Sequence, residues 1–247
     1  MPFVNVTRLA LPACLVLLAG HAVAADAGAP IRVLLAPELE TKLVAQMNGE
    51  VASVKATLGA AVTKGQPLVL LVCDEAQARV AMARAEAAGA QESLDVKQNM
   101  RKLDAVGDME VALAKAAADK ANGATRLASA QAGYCRINAP FNGRIVNVGV
   151  KPNQGVTAGM PVIEMVSNGP LKLRLNVPSI YLRTLKDGDP FKVAIEETGK
   201  TYAAHVTAIN ARVDAVAQTV ELEAHMDTAP PELLAGMSGT ATFPAAK

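Results

Sequence analysis

The chain carries two kinds of hydrophobic pattern, and the boundary between them is sharp. From Asp74 to Ala132 there is no proline, alanine dominates, and apolar residues recur three and four positions apart, which predicts helix. The spacing breaks near residues 106–108, where Gly107 can end one helix and Asp108 can cap the next. We therefore expect two antiparallel helices that pack through a seam of mostly small residues. The predicted seam positions are Val80, Ala83, Ala87, Ala90 and Leu94, then Val111, Ala114, Ala118, Ala121, Thr125 and Ala128.

Short alternating segments on either side of the helical stretch repeat each other. The segment 49–72 aligns without a gap with the segment 143–166, each position matching one 94 residues later. Apolar residues at alternate positions predict β-strands, and the shared glycines predict turns or close backbone approaches. Two such copies, related by a pseudo-twofold axis, can form a small β-sandwich that one copy is too small to form alone. The shared glycines are Gly49, Gly65, Gly143 and Gly159.

Composition and charge count against several classes of function. The chain has 24 Lys and Arg against 23 Asp and Glu, so it offers no basic field for phosphates. Aromatic residues make up 3%, which counts against stacking on single-stranded nucleic acid or sugars. We find no nucleophile elbow, phosphate loop or paired-carboxylate motif. His205 and His225 are lone residues in strand patterns, where a structural or solvated role is expected. The sequence thus predicts a non-enzymatic protein with no cofactor, no metal and no nucleic-acid partner.

The first residues predict export. Arg8 precedes the apolar run 9–19, which is too short to span a bilayer comfortably, and residues 22–24 form an A-x-A cleavage site. We expect a signal peptide at residues 1–24 and a mature chain that begins at Ala25. The alternatives are a transmembrane anchor and a lipoprotein site at Cys14. No later stretch is long and apolar enough to cross a membrane.

A repeat opened by a helical hairpin resembles the HlyD-type membrane fusion family of periplasmic adaptors. The motifs are GEVASV at 49–54, VTKGQPL at 62–68, INAPFNGRI at 137–145 and LAGMSG at 234–239. The resemblance covers nearly all of the chain after the predicted signal peptide. It implies a mostly β fold with a helical insertion, in which an antiparallel coiled-coil hairpin splits a half-lipoyl (barrel-sandwich hybrid) domain. A small β-barrel domain completes the expected fold.

The resemblance also implies domain boundaries. A segment at 25–46 leads into the barrel and the lipoyl-like domain. The two halves of the lipoyl-like domain are expected at 47–73 and 134–168, the helical hairpin at 74–133, and the β-barrel domain at 169–247.

The function implied by the resemblance is that of an adaptor in the periplasm. Such a protein links an inner-membrane efflux transporter to an outer-membrane channel and assembles as a homo-oligomeric ring, expected to be a hexamer. An RND-type transporter is favoured, with an ABC-type exporter as the alternative, and docking is expected through the barrel and lipoyl-like surfaces. Two other hypotheses stay open. One is a lipoyl-type carrier, because Asp119-Lys120-Ala121 is a lipoate-accepting tripeptide, although here it lies inside a helical pattern. The other is a secreted binding protein that has no transporter.

Two groups of residues are candidate sites under this resemblance. The hairpin turn is expected to contact the channel through Arg101, Lys102, Leu103 and Asp108. Cys73 and Cys135 lie at opposite feet of the hairpin, where an oxidising periplasm favours a disulfide. The alternative for the cysteines is two buried thiols whose Cα atoms are too far apart to bond.

Overall fold

The computed structural model describes residues 30–228 and 230–244. The predicted signal peptide and its alternatives lie outside these residues. No helix in the described part has the length and apolar character needed to cross a membrane. A short 3-10 helix spans Ser179–Arg183. The strands are β1 (Ile31–Pro37), β2 (Glu40–Val44), β3 (Gly49–Val54), β4 (Ala61–Val62), β5 (Pro67–Leu71), β6 (Arg136–Asn138), β7 (Gly143–Val148), β8 (Gly155–Val156), β9 (Pro161–Ser167), β10 (Leu171–Pro178), β11 (Pro190–Ile195), β12 (Lys200–Asp214), β13 (Thr219–Met226) and β14 (Ser238–Thr242), and the long helices are α1 (Asp74–Lys102) and α2 (Asp108–Gly133).

Six strands close a β-barrel in the order β1-β10-β13-β12-β11-β14. All its neighbouring strands are antiparallel. Side chains alternate between the interior and the solvent, as a period of two requires. In β10, for example, Leu173, Leu175 and Val177 are buried, whereas Arg174 and Asn176 are exposed. The barrel also takes β1 from ahead of the repeat, so residues after 169 do not close it alone.

Two four-stranded sheets enclose a second core, in the orders β2-β9-β7-β4 and β6-β5-β3-β8. Strands β3, β4 and β5 begin at residues 49, 61 and 67, and β7, β8 and β9 begin at 143, 155 and 161, in the register of the repeat. Each sheet contains strands from both copies. Because the copies exchange strands, their apolar faces form one shared core. The correspondence also extends ahead of the predicted repeat, since Ala45 and Ala139 are both buried at matching positions before β3 and β7.

The two helices pack against each other in an antiparallel arrangement. Thr125 Oγ1 donates a hydrogen bond to the Ala83 carbonyl at 2.9 Å, and Lys97 Nζ lies 2.7 Å from a Glu110 oxygen. Every predicted seam residue is buried or half-buried, which agrees with the three- and four-residue spacing. One expectation is wrong: Gly107, in an extended conformation, is the N-cap of α2, and Asp108 is the first residue of the helix.

The chain order nests one unit inside another. Strand β1 belongs to the barrel, β2–β5 to the two sheets, and α1 and α2 to the hairpin; the chain then returns through the sheets to the barrel. Antiparallel pairing closes each insertion, with β5 against β6 below the hairpin and β1 against β10 below the sheets. The hairpin therefore starts and ends at neighbouring positions, so its turn is its farthest point from the sheets. At about 1.5 Å per residue, α1 alone is roughly 40 Å long.

Candidate functional site at the helical hairpin

The hairpin turn is held by one arginine. Arg101 Nη1 donates to Asp104 Oδ1 at 2.9 Å, and its Nε donates to Asp108 Oδ1 at 2.5 Å. The hydrogen bond and charge of Arg101 lower the pKa of the Asp108 carboxyl, and Asp108 in turn raises the pKa of the guanidinium. Asp104 has a left-handed backbone with φ of 54°, which this residue type tolerates better than most. Two of the four predicted contact residues, Arg101 and Asp108, are therefore engaged with each other inside the turn.

The other two predicted contact residues differ in their freedom. Lys102 donates to the Asn99 side chain at 3.0 Å, along its own helix. Leu103 is 80% exposed, although it is a large apolar residue. An exposed leucine at the far end of a projecting hairpin has no role in the protein's own core, so Leu103 is the predicted residue best suited to meet a partner.

Leu103 has apolar neighbours that the sequence analysis missed. Val96 and Met100 are four residues apart on one face of α1, and Leu103 is the residue that caps the end of this helix. On α2, Met109 and Leu113 are also four residues apart and share one face. On each helix the apolar face adjoins one member of the ion pair between Lys97 and Glu110. We call these five residues the apolar tip patch. Their spacing of three and four residues was the available signal in the sequence, but the predicted seam accounted only for buried positions. The exposed fractions are 47% for Val96, 37% for Met100, 80% for Leu103, 76% for Met109 and 65% for Leu113.

The opposite side of the hairpin is polar. On α2, Lys115 and Asp119 face away from the tip patch and are exposed. The apolar side is therefore suited to contact with a partner, whereas the polar side is suited to contact with water. It also supplies matched positions for control variants on the same helix.

The foot of the hairpin is closed by a disulfide between Cys73 and Cys135, whose Cα atoms are 5.9 Å apart. This separation lies within the range that a disulfide requires. The Leu71 amide also donates to the Cys135 carbonyl at 2.8 Å, so the bond reinforces a junction that the backbone already makes.

The turns below the hairpin obey the twofold relation of the repeat. Gly65 N donates to the Ala139 carbonyl at 2.7 Å, and Gly159 N donates to the Ala45 carbonyl at 2.8 Å. Two asparagines that the sequence analysis missed make an equivalent pair of bonds, each to a backbone amide of the other half. Asn142 Oδ1 accepts from Lys64 N at 2.8 Å, and Asn48 Oδ1 accepts from Ala158 N at 2.9 Å. The two Asn-Gly steps at matching positions were the available signal.

The four shared glycines divide into two kinds. Gly65 and Gly159 have φ of 84° and 88°, which L-residues rarely adopt. Gly49 and Gly143 do not lie in turns, contrary to expectation, but begin strands β3 and β7. A Cβ on Gly143 would lie 2.1 Å from the Val166 carbonyl oxygen, whereas one on Gly49 would meet nothing closer than Leu71 at 3.8 Å. Only one of the two strand glycines is required by a close approach.

His205 and His225 are not isolated from each other, contrary to expectation. They lie directly opposite across β12 and β13. His205 Nδ1 is 2.8 Å from Asp227 Oδ1, and His225 Nε2 is 3.9 Å from Glu38 Oε2. Within residues 30–228 and 230–244, no group of three His, Cys, Asp or Glu side chains is placed to hold a metal ion. Lys120, the candidate lipoate acceptor, lies within α2 and not in a tight β-turn.

No protein-family model matches the chain. An uncharacterized protein of Haemophilus influenzae is 26% identical over 209 residues, which cover 83% of this chain and 54% of that protein. The chain thus spans about half the length of the curated relative that it matches.

Solved structures give closer likenesses in shape. A MacA–MexA chimeric protein that contains the α-hairpin domain of Pseudomonas aeruginosa MexA has a TM-score of 0.80 at 19% identity, over 88% of this chain and 79% of that one. The membrane fusion protein Spr0693 of Streptococcus pneumoniae R6 has a TM-score of 0.74 at 17% identity, over 89% of this chain and 100% of that one. These likenesses agree with the motifs of the repeat, and the chain therefore has the fold of the membrane fusion proteins.

Proposed function

We propose that the chain is a periplasmic adaptor that links an inner-membrane efflux transporter to an outer-membrane channel. Under this proposal the two sheets are the lipoyl-like domain, split by a coiled-coil hairpin, and the closed barrel faces the transporter. The observation that carries the proposal is the projecting hairpin, which ends in an exposed apolar patch far from both cores. A protein that works by bridging two partners needs such a distant contact surface and needs no catalytic site.

The apolar tip patch is the surface that we assign to the channel. Its five side chains are exposed and lie near the turn, where a helical partner could pack into the spaces between them. The charges of Arg101 and Asp108 stabilise the turn. A variant that reverses Arg101 would place a glutamate beside Asp104 and Asp108, and would disturb the turn as well as any contact.

Site-specific crosslinking tests this assignment in cells. A light-activated crosslinking amino acid is placed at Leu113 and, as the matched control, at Lys115 on the opposite side of α2. We expect position 113 to crosslink to an outer-membrane channel and position 115 to give much less of that product. Equal crosslinking from both positions, or none from position 113 in cells where the transporter co-purifies, would contradict the assignment.

An export assay tests the same assignment through the function of the protein. The double variant Leu103→Ser with Leu113→Ser removes apolar surface from exposed positions, so each change should alter the free energy of unfolding by no more than about 0.5 kcal/mol. We expect normal secretion and transporter binding but no export. The control is Lys115→Ser with Asp119→Ser, which should export as wild type does.

The class of transporter follows from what co-purifies with the full-length protein. We favour an RND-type transporter and a hexameric ring in the assembled complex. Recovery of an ABC exporter would replace the RND assignment and leave the adaptor role intact. Recovery of no membrane transporter from detergent-solubilised membranes would favour the secreted binding protein.

A further inference from the structure

Three sulfur atoms converge at the foot of the hairpin. Cys73 and Cys135 are bonded, and Met47 Sδ lies 3.8 Å from Cys135 Sγ. Cys135 is only 2% exposed, and Cys73 and Met47 are half-buried against the core of the two sheets. A disulfide explains two of these sulfurs but does not explain why a thioether adjoins them.

The repeat supplies an internal comparison for this cluster. The positions related to Met47, Cys135 and Cys73 by the repeat hold Phe141, Thr41 and Ser167. These three equivalent positions in the other half therefore hold no sulfur, and the sulfur nearest to them in the sheet pairing belongs to Met165, whose own equivalent is Leu71. The fold does not itself demand sulfur at these positions, so the cluster calls for a chemical explanation.

The distances suit a soft metal ion. Sulfur ligands lie about 2.3 Å from such a metal, so two sulfurs in a trigonal arrangement are about 4 Å apart. The separation between Met47 and Cys135 is already 3.8 Å. With the Cα atoms 5.9 Å apart, rotation of the cysteine side chains can separate the two sulfurs while the backbone stays in place. Thiolate and thioether ligands together select monovalent copper-like ions over oxygen-seeking ions.

We propose that, in its reduced form, the chain binds a single soft monovalent cation of the Cu⁺ or Ag⁺ class between the Cys73 and Cys135 thiolates and the Met47 thioether. A dithiol reduces the protein disulfide by supplying two electrons and two protons, and becomes a disulfide itself. The cation then displaces both thiol protons. Because the same two cysteine sulfurs form either the disulfide or the metal bonds, the two states exclude each other, and each one closes the foot of the hairpin.

One of the three sulfur residues, Met47, lines a cavity beside the hairpin foot. This cavity of about 650 Å³ is also lined by three carboxylates and by Arg79, which pairs with Glu75. Its acidic lining residues are Glu50, Asp74 and Glu75.

Titration with Ag⁺ tests the proposal, which does not depend on the adaptor function. The mature protein is reduced with dithiothreitol, freed of it under argon, and titrated, with native mass spectrometry to count bound silver and a competing chelator to measure affinity. We expect one Ag⁺ per reduced chain and none per oxidised chain. Met47→Phe, which installs the residue of the equivalent position, should lower the affinity at least about tenfold. Met82→Gln, at an exposed methionine of α1, should leave the affinity unchanged.

The remaining outcomes count against the site. If the oxidised chain bound as much Ag⁺ as the reduced chain, the ion would have to bind at another site. No binding by the reduced chain, or unchanged affinity in Met47→Phe, would overturn the three-sulfur assignment.

Cys73→Ser should remove the tight binding. Circular dichroism shows whether each variant is folded. If a variant is not folded, the comparison between the reduced and the oxidised wild-type protein still tests the site.

Discussion

At the scale of single residues, position in the fold separates side chains that the sequence presents as equivalent. Gly49 and Gly143 match in the repeat and begin matching strands, yet only Gly143 abuts a backbone carbonyl. Likewise, Arg101 and Leu103 are close in sequence at the same turn, but one is tied to two carboxylates and the other is exposed.

Substituting alanine at the two matched glycines should give opposite results. Gly143→Ala forces a methyl group against the Val166 carbonyl oxygen, so β7 or β9 must shift, at a cost of about 1–3 kcal/mol or more in the free energy of unfolding. Gly49→Ala should change it by no more than about 0.5 kcal/mol. Urea unfolding of both variants measures the difference. Similar losses in the two would show that the halves are more alike in packing than the structure indicates.

The pair of Arg101 and Asp108 should make the hairpin turn sensitive to acid. Arg101 lowers the pKa of Asp108 below its ordinary 3.8, so the unfolded chain binds this proton more readily than the folded one. The stabilisation is therefore present above that ordinary value and is lost as the pH falls through the folded pKa. Wild type should melt at a higher temperature than Asp108→Asn at pH 6, with the gap narrowing by pH 3.

The comparison between the two proteins isolates this pair. Glu197, Asp214 and Glu232 also have lowered pKa values, because each accepts hydrogen bonds, and they destabilise both proteins equally in acid. A gap in melting temperature that stayed constant between the two pH values would show that Asp108 acts through something other than its charge.

At the scale of elements, small residues hold the two helices close together. Ala118 is only 1% exposed and lies in the seam, whereas the adjacent Ala117 is exposed. Helices that pack over alanine approach more closely than helices that pack over leucine. The hairpin therefore depends on side chains that are small as well as apolar.

Enlarging the seam should separate the arms of the hairpin. Ala118→Leu adds volume where none is free, and we expect a loss of about 1–3 kcal/mol in the free energy of unfolding. Ala117→Leu makes the same chemical change on the exposed side and should cost no more than about 0.5 kcal/mol. Thermal unfolding followed at 222 nm distinguishes them. A tolerated Ala118→Leu would mean that the helices are packed more loosely than the burial of Ala118 indicates.

At the scale of the whole molecule, two separate cores are joined by a chain that passes through both. Among the residues that the structure describes, none is buried in both the barrel core and the core of the two sheets, and the hairpin is inserted into the second. The disulfide lies where the hairpin joins the sheets. It closes a segment with a sequence separation of 62 residues and so limits the unfolded chain.

Removal of the disulfide should be costly without changing the fold. In the chain-entropy model, closing a loop of this length contributes about 4 kcal/mol. The double variant Cys73→Ser with Cys135→Thr, which installs the residues of the equivalent positions, should lose an amount of that order in urea unfolding while its circular dichroism spectrum stays the same. Adding reductant should destabilise wild type but leave this variant unaffected. An equal response of both proteins to reductant would contradict the pairing.

The elements whose signal is local or repeated were predictable from the amino-acid sequence. Proline-free alanine-rich periodicity placed both helices and the seam, because helix spacing is a property of neighbouring residues. The repeat placed β3–β5 and β7–β9, because copies of one sequence adopt the same local structure. The glycines at the two tight turns followed from the same pattern.

The features that join distant positions in the chain became visible only in the folded protein. The exchange of strands between the halves, the entry of β1 into the barrel and the pairing of His205 with His225 all depend on contacts across many residues. So do the close approach at Gly143, the pairing of Arg101 with Asp104 and Asp108 within the turn, and the convergence of Met47 with the two cysteines. A linear pattern shows which side chains alternate or recur, but the neighbours of a side chain across the fold are set by how the elements pack.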